Sequence, residues 1–463
     1  MPTQQLDPRD PESRIARLLD GGKFEFLIPR TDCGMVAVTG DIKGNKVVVF
    51  ASDATIKSGA LGVEGSKVIV TAYKAAMGAQ VPIIGIWHSG GARLSDGVAS
   101  LDAFGEVFQS MISASGRIPQ LSLVLGPTAG GGAYGPALTD IVVLSPEGRI
   151  FVTGPDVVKS VTGEDTDMAL LGGPEAHRKN SGLAHIIATD EDEAITDIRT
   201  LTDLFANQGF MNAEVKDIDL AAFVPQSKVR TYEVHPLVEA ILDTDAEHIE
   251  LLSMWAPNMT TVLGRLGGAT VGVLASNPAH IAGALDAAAG EKAARFVRTC
   301  DAFGIPLIVI ADVQGFLPGA GQEWEGAVRR GAKLLHAFGE AVVPRVTLIT
   351  RRAYGGAYVA MNSKALGATR VFAWPNAEVS VMGAVAAVRV LHRRILADLP
   401  AEQRESMELE LAAEHEKISG GVTRAVEIGA VDEIIEPAKT RSALAKVIAQ
   451  APHRRGAHGN IPL

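Results

Sequence analysis

Only two cysteines, Cys33 and Cys300, occur among the 463 residues. That count excludes a disulfide-stapled scaffold and a paired-cysteine zinc site, and it points to the reducing cytoplasm. No basic block stands out and the net charge is −10, so the footprint of a nucleic-acid binder is missing. No apolar run approaches the roughly 20 residues of a membrane helix, and the polar Met1 to Arg17 stretch carries no apolar signal core. A soluble chain with no membrane partner is expected. No GK[ST] follows a glycine loop, which excludes a Walker A phosphate loop, and no G-x-G-x-x-G opens a helix after the first strand, which excludes a Rossmann fingerprint. A convincing nucleophile is also missing. Ser89 lacks the G-x-S-x-G elbow, and His88 beside it reads as a packed histidine before it reads as a base. Asp312, ending a strand, is an acid/base candidate or a holder of loop amides.

What is present is a 47% hydrophobic chain, ample for large cores, in which short β-branched segments alternate with helical stretches. Residues 47–50, 68–70, 83–86, 121–125 and 140–144 read as strands of a first unit. Those at 271–274, 307–310, 346–349 and 371–373 read as strands of a second, with an amphipathic helix at 291–303. An N-terminal helical arm carries Ile15, Leu18 and Leu19 as its apolar stripe. The fold class is therefore α/β built from βαβ units, in two domains at 1–228 and 229–463, with the linker at Phe223 to Ser227.

The glycine-rich signature occurs twice. Trp87-His88-Ser89-Gly90-Gly91-Ala92-Arg93 and Ala129-Gly130-Gly131-Gly132-Ala133-Tyr134 in the first half answer to Asp312-Val313-Gln314-Gly315-Phe316 and Tyr354-Gly355-Gly356-Ala357-Tyr358 in the second. Gly90 to Gly315 and Gly131 to Gly356 both span 225 residues, which indicates an ancient duplication of one α/β unit. A glycine cluster between a buried strand and a helix lets backbone N–H groups point outward with no side chain in the way, an oxyanion hole in outline. The same glycines would also serve close backbone packing alone, but repetition of the whole arrangement favours function. Two such sites suit a reaction joining two substrates. The arginine doublets 329–330, 351–352 and 393–394 are secondary candidates for gripping phosphates, or solvated element ends.

Further motifs carry a family likeness. Ser89-Gly90-Gly91-Ala92-Arg93-Leu94, Tyr134-Gly135-Pro136-Ala137-Leu138-Thr139-Asp140, Phe151 to Val158 and Thr162-Gly163-Glu164 resemble the carboxyltransferase (β) subunit of biotin-dependent acetyl-/propionyl-CoA carboxylases of actinobacterial type. So do Glu291 to Phe296, Arg330 to Leu335, Tyr354 to Tyr358, Ala373-Trp374-Pro375, Val381 to Ala384 and the tail Gly459 to Leu463, and the likeness runs from about residue 10 to the end. The resemblance implies tandem crotonase-like (ClpP/crotonase) domains in a homo-hexamer. It implies transfer of a carboxyl group from carboxybiotin to the α-carbon of an acyl-CoA, at sites between the N-domain of one subunit and the C-domain of its partner. It assigns Gly130, Gly131 and Gly132 to the thioester oxygen and Gly356 and Ala357 to the biotin ureido oxygen. Ser89, Gly90, Gly91, Arg93, Tyr134, Gly315, Phe316, Tyr358 and Val359 become substrate-binding candidates, with Arg93 either a CoA phosphate contact or a loop-ordering residue. Biotin itself takes the α proton in this chemistry, so the missing nucleophile is expected and no metal is called for.

Val359 stands where many propionyl-preferring relatives place Asp, which points to acetyl-CoA or mixed acetyl/propionyl use, as in fatty-acid and mycolic-type relatives. Two positions depart from the family pattern: Gln314 replaces a common proline, and Val385 a frequent polar residue. Both are expected to tune efficiency or acyl choice. No A-M-K-M biotinylation motif or ATP-grasp signature occurs, so the resemblance implies a separate biotinylated α subunit holding biotin carboxylase and carrier domains. A decarboxylase or transcarboxylase subunit and a non-catalytic scaffold subunit are the rival readings.

Overall fold

The computed structural model describes residues 7–227, 230–419 and 421–462. Two compact units emerge. The first gathers residues up to 208 with the segment 249–255 and the tail 457–462; the second gathers 209–248 and 256–456. The 228/229 cut expected from the sequence falls on residues outside the described ones. Phe223 to Val224 is no free linker, since Leu220 and Val224 are buried in the core of the second unit.

The first unit opens with the helix Pro11–Leu18, capped by Asp10, whose carboxylate accepts from the Glu12 and Ser13 amides. Its Ile15 and Leu18, with Leu19 beyond, are buried as the apolar stripe requires. The strands are β1 (Phe24–Phe26), β2 (Met35–Ile42), β3 (Asn45–Ser52), β4 (Ile83–Ser89), β5 (Gln120–Ala129), β6 (Ile141–Leu144), β7 (Arg149–Phe151) and β8 (Ile186–Ile187). β1, β2 and β3 pair antiparallel, and β3, β4, β5, β6 and β8 then run parallel, with β7 parallel to the far end of β5. The β-branched run 68–70 lies in the helix Val63–Ala79 and not in a strand. Ile69, Ala72, Tyr73 and Ala76 are buried at spacings of three and four, and this helical period outweighs the local β preference of three residues.

After β9 (Ile249–Leu251), the second unit repeats the design. β10 (Met259–Leu266) and β11 (Ala269–Ser276) form an antiparallel hairpin. β11, β12 (Leu307–Val313), β13 (Arg345–Tyr354), β14 (Arg370–Ala373) and β16 (Glu433–Ile434) run parallel, and β15 (Glu378–Ser380) flanks the end of β13. The helix Ala287–Phe303 is longer than its sequence period indicates and buried nearly all round, including Lys292, whose ammonium donates to the Ala256 carbonyl.

Close backbone approaches fix the turns that precede the helices Val63–Ala79 and Ala287–Phe303. Gly59, at φ +69°, lies so near the His88 carbonyl that a Cβ would sit 1.9 Å from its oxygen, whereas Gly44, at φ +77°, faces open space. Gly59→Ala is expected to cost more than about 2 kcal/mol in urea unfolding, against roughly 1 kcal/mol for Gly44→Ala, where only the left-handed conformation is penalised. Equal losses at the two positions would contradict this packing.

Candidate functional site

In each unit the parallel pairing slips where the two loops begin. Trp87 pairs with Val124 and Ser89 with Thr128, so the single residue His88 lies opposite Leu125, Gly126 and Pro127. Ala311 pairs with Ile349 and Val313 with Ala353, so the single Asp312 lies opposite Thr350, Arg351 and Arg352. A bulge of this kind bends the longer strand and re-aims the residues beyond it. Here those residues are the glycine turns.

In the first unit Gly130 adopts φ +60° and its N–H donates to the Phe151 carbonyl at 3.1 Å. Gly130 therefore turns the chain, and its amide is taken. Gly131 and Gly132, the first residues of the helix Gly131–Leu138, have N–H groups with no acceptor among the described residues, as the first turn of a helix dictates. Ser89, buried beside them, accepts the Gly91 N–H at 3.2 Å, and a Cβ on Gly132 would lie 3.4 Å from its hydroxyl. The loop is pinned to Leu61, whose N–H donates to the Gly91 carbonyl and whose carbonyl accepts from the Arg93 N–H, both at 2.8 Å. The Arg93 guanidinium donates to the carbonyls of Cys33 (2.7 Å) and Ala60 (3.3 Å), which orders the loop. Gly90 is exposed, and its N–H is held by the Ser58 carbonyl. Tyr134 is half exposed with its ring edge-on to Phe108.

The second unit reproduces this. Leu285 pins Gly315 and Leu317 as Leu61 pins Gly91 and Arg93. The true counterpart of Gly315 is thus Gly91, at an interval of 224 residues, and not Gly90. The second loop keeps 225, with Gly355 at φ +59° answering to Gly130. One residue has been gained between the two loops. Gly356 and Ala357, in the first turn of the helix Gly355–Ala360, have N–H groups with no acceptor among the described residues. The Phe316 ring lies between Gly331 and Gly356, 3.8 Å from where a Cβ on Gly356 would be. Tyr358 donates to the Ala430 carbonyl at 3.3 Å, and burial raises its pKa. Val359 is exposed beside it. Gln314 and Val385, the two family departures, line one cavity of about 750 Å³ together with Arg352, Tyr354, Met382 and Leu409.

The filling of the two bulges was not legible in the sequence. Asp312 is fully buried and bound by Arg351 Nε at 2.7 Å and Arg352 Nε at 2.9 Å. Arg351 also stacks on Tyr232, 4.7 Å from the ring centre. In the first unit the His88 ring fills the same place, against Gly126, whose Cβ would lie 2.4 Å from it. Burial, helped by the charges of Arg14 and Arg9, pushes the His88 pKa down to about 4. The described residues hold no group of three or more His, Cys, Asp or Glu suited to a metal, and no described helix is long and apolar enough to cross a membrane.

Duplicated crotonase-type units, each ending a bulged strand in a glycine turn with two free amides, define a class of enzymes that stabilise oxyanions on carbonyl substrates. Residues 4–458 match the carboxyl transferase domain model. The chain is 58% identical to the biotin-dependent acetyl-/propionyl-coenzyme A carboxylase beta6 subunit of Mycobacterium tuberculosis, over 99% of this chain and 98% of that protein. It is 52% identical to the propionyl-CoA carboxylase beta chain of Rhodococcus erythropolis, over 99% and 97%. The crystal structure of transcarboxylase 12S with hydrolysed methylmalonyl-coenzyme A superposes with a TM-score of 0.91 at 35% identity, covering 98% of this chain and 93% of that one. The chain belongs to the carboxyl transferase family and is the carboxyltransferase (β) subunit type of an acyl-CoA carboxylase.

Because His88 binds a proton less readily folded than unfolded, acid favours the unfolded chain. Its contribution is harmless above its ordinary value of 6.5 and destabilises progressively as pH falls to about 4. His88→Asn should flatten the fall of urea midpoint between pH 6.5 and 4 relative to wild type. Parallel curves would show that His88 titrates normally.

Proposed function

We propose that this subunit moves a carboxyl group from biotin, borne on a separate α subunit, to the α-carbon of acetyl-CoA or propionyl-CoA, giving malonyl-CoA or methylmalonyl-CoA. The observation that carries this reading is the pair of unpartnered amides in each unit, Gly131 with Gly132 and Gly356 with Ala357. The first pair would hold the thioester oxygen, and its hydrogen bonds strengthen as enolate charge develops there. The second would hold the ureido oxygen, for which the surroundings fit: Gly356 is open, and the Phe316 ring beside it and the exposed Val381, whose backbone carbonyl lies against Gly355, offer apolar faces to a flat ring. Biotin, when delivered, supplies the activated carboxyl group and then a nitrogen that takes the α proton. The chain's own part is to hold both oxygens and exclude a competing nucleophile, and Ser89 and Asp312 are each bound into the framework. By the same reading the protein is a cytoplasmic homo-hexamer that needs an α subunit and ATP.

The likeness to transcarboxylase 12S favours a second reading, exchange between two acyl groups without ATP. Fixation of labelled bicarbonate separates the two. Incorporation into acetyl- and propionyl-CoA is expected only with a biotinylated α subunit and ATP, and none with any α partner contradicts the proposal. Gly356→Pro, which deletes one donor in a helix turn that tolerates proline, should lower kcat by about 10²–10³. Val359→Asp should raise the propionyl-to-acetyl ratio of kcat/KM; an unchanged ratio removes Val359 from the acyl pocket.

A further inference from the structure

The two units share every backbone feature of their bulges and differ in what fills them. In both, a serine hydroxyl accepts the N–H of the lone residue at 2.8 Å: Ser52 for His88, Ser276 for Asp312. In the first unit the imidazole rests on Gly126 and meets one guanidinium, Arg14 Nη1, 3.5 Å from its Nδ1. In the second, a buried carboxylate joins two adjacent guanidiniums of the facing strand. Nε atoms of neighbouring strand residues normally point to opposite faces; both reach one carboxylate here because three residues oppose one.

We propose that Asp312 is a positioning residue for the biotin-side amides, locking the two loops of the second unit to each other through Arg351 and Arg352. The inference rests on the assignment of Gly356 and Ala357 to biotin. Asp312 stands three residues before Gly315, and Arg352 three before Gly355, so the ion pairs join the strand ends from which both loops spring. Arg351 extends the lock by donating to the carbonyls of Ser227 (2.8 Å) and Arg230 (2.9 Å). Among the described residues Arg352 Nη2 has no partner, and the Asp312 carboxylate is the one group that anchors the side chain. Both Asp312 bonds are charge-assisted and buried and tie two residues of the facing strand to one carboxylate, whereas the His88 ring meets a single guanidinium from outside its sheet partner, at 3.5 Å.

The assembled enzyme tests this through the reverse partial reaction with free biotin. There the carboxyl C–C bond of malonyl-CoA breaks, an N–C bond forms on biotin, and the biotin N–H proton passes to the α-carbon. Asp312→Asn should lower kcat/KM for biotin by about 10², the cost of misplaced donors, with KM for malonyl-CoA within about twofold. Asp312→Glu should restore part of the loss. Arg352→Lys, which keeps the charge and removes only one Nε bond, should give an intermediate, biotin-specific loss, and it carries the test if Asp312→Asn does not assemble. An assembled variant with unchanged biotin kinetics, or with equal losses for both substrates, overturns the inference. A selective loss on the malonyl-CoA side would keep the positioning role and overturn the loop assignment instead. A wild type without biotin-dependent transfer would overturn the proposed function.

Discussion

A helix that begins directly after a buried strand has first-turn N–H groups that no residue of its own can satisfy. In most proteins a capping side chain closes them; neither Gly130 nor Tyr354, at the two N-cap positions, does so. The rest of the molecule depends on keeping those amides unclosed and held. Gly130 and Gly355 take a left-handed turn that a Cβ would resist, and the strands that feed them are bulged so that the turn faces outward. Ser89 and Phe316 pack beside the donors without accepting from them.

Duplication produced two such turns, and divergence then acted on their supports. Leu61 and Leu285 still make the same two backbone bonds, and Ser52 and Ser276 still hold the same amide. At the bulges the units parted: one sets the His88 ring against Gly126 and Arg14, the other a carboxylate, Asp312, between two arginines.

Much of the fold was legible because its signals were periodic or repeated. The alternation of strands and helices, the glycine pairs and the N-terminal stripe of Ile15 and Leu18 all appear where spacing places them. Residues 68–70 misled because three β-branched residues look alike in a strand and in a helix whose buried face runs through Ile69 and Tyr73. The pairing of Gly90 with Gly315 misled because one glycine of a Gly-Gly step is as good as the next until hydrogen bonds choose Gly91. Gly130 carried a strong sequence signal, yet only the structure shows its amide bound to Phe151. The Asp312 clamp was invisible, since adjacent arginines are expected on opposite faces of a strand and only the three-against-one bulge turns both inward. The division of the chain was hidden for a similar reason: residues 249–255 and 457–462 join the first unit through contacts distant in sequence.

On the proposed reading the two turns are separate oxyanion sites, one for each substrate. A crystal structure of the assembled enzyme with an acyl-CoA and free biotin tests it most directly. The thioester oxygen should lie about 2.7–3.1 Å from the Gly131 and Gly132 amides, and the biotin carbonyl oxygen at the same reach of Gly356 and Ala357. Both substrates at a single turn, or either oxygen held by side chains alone, would contradict the account.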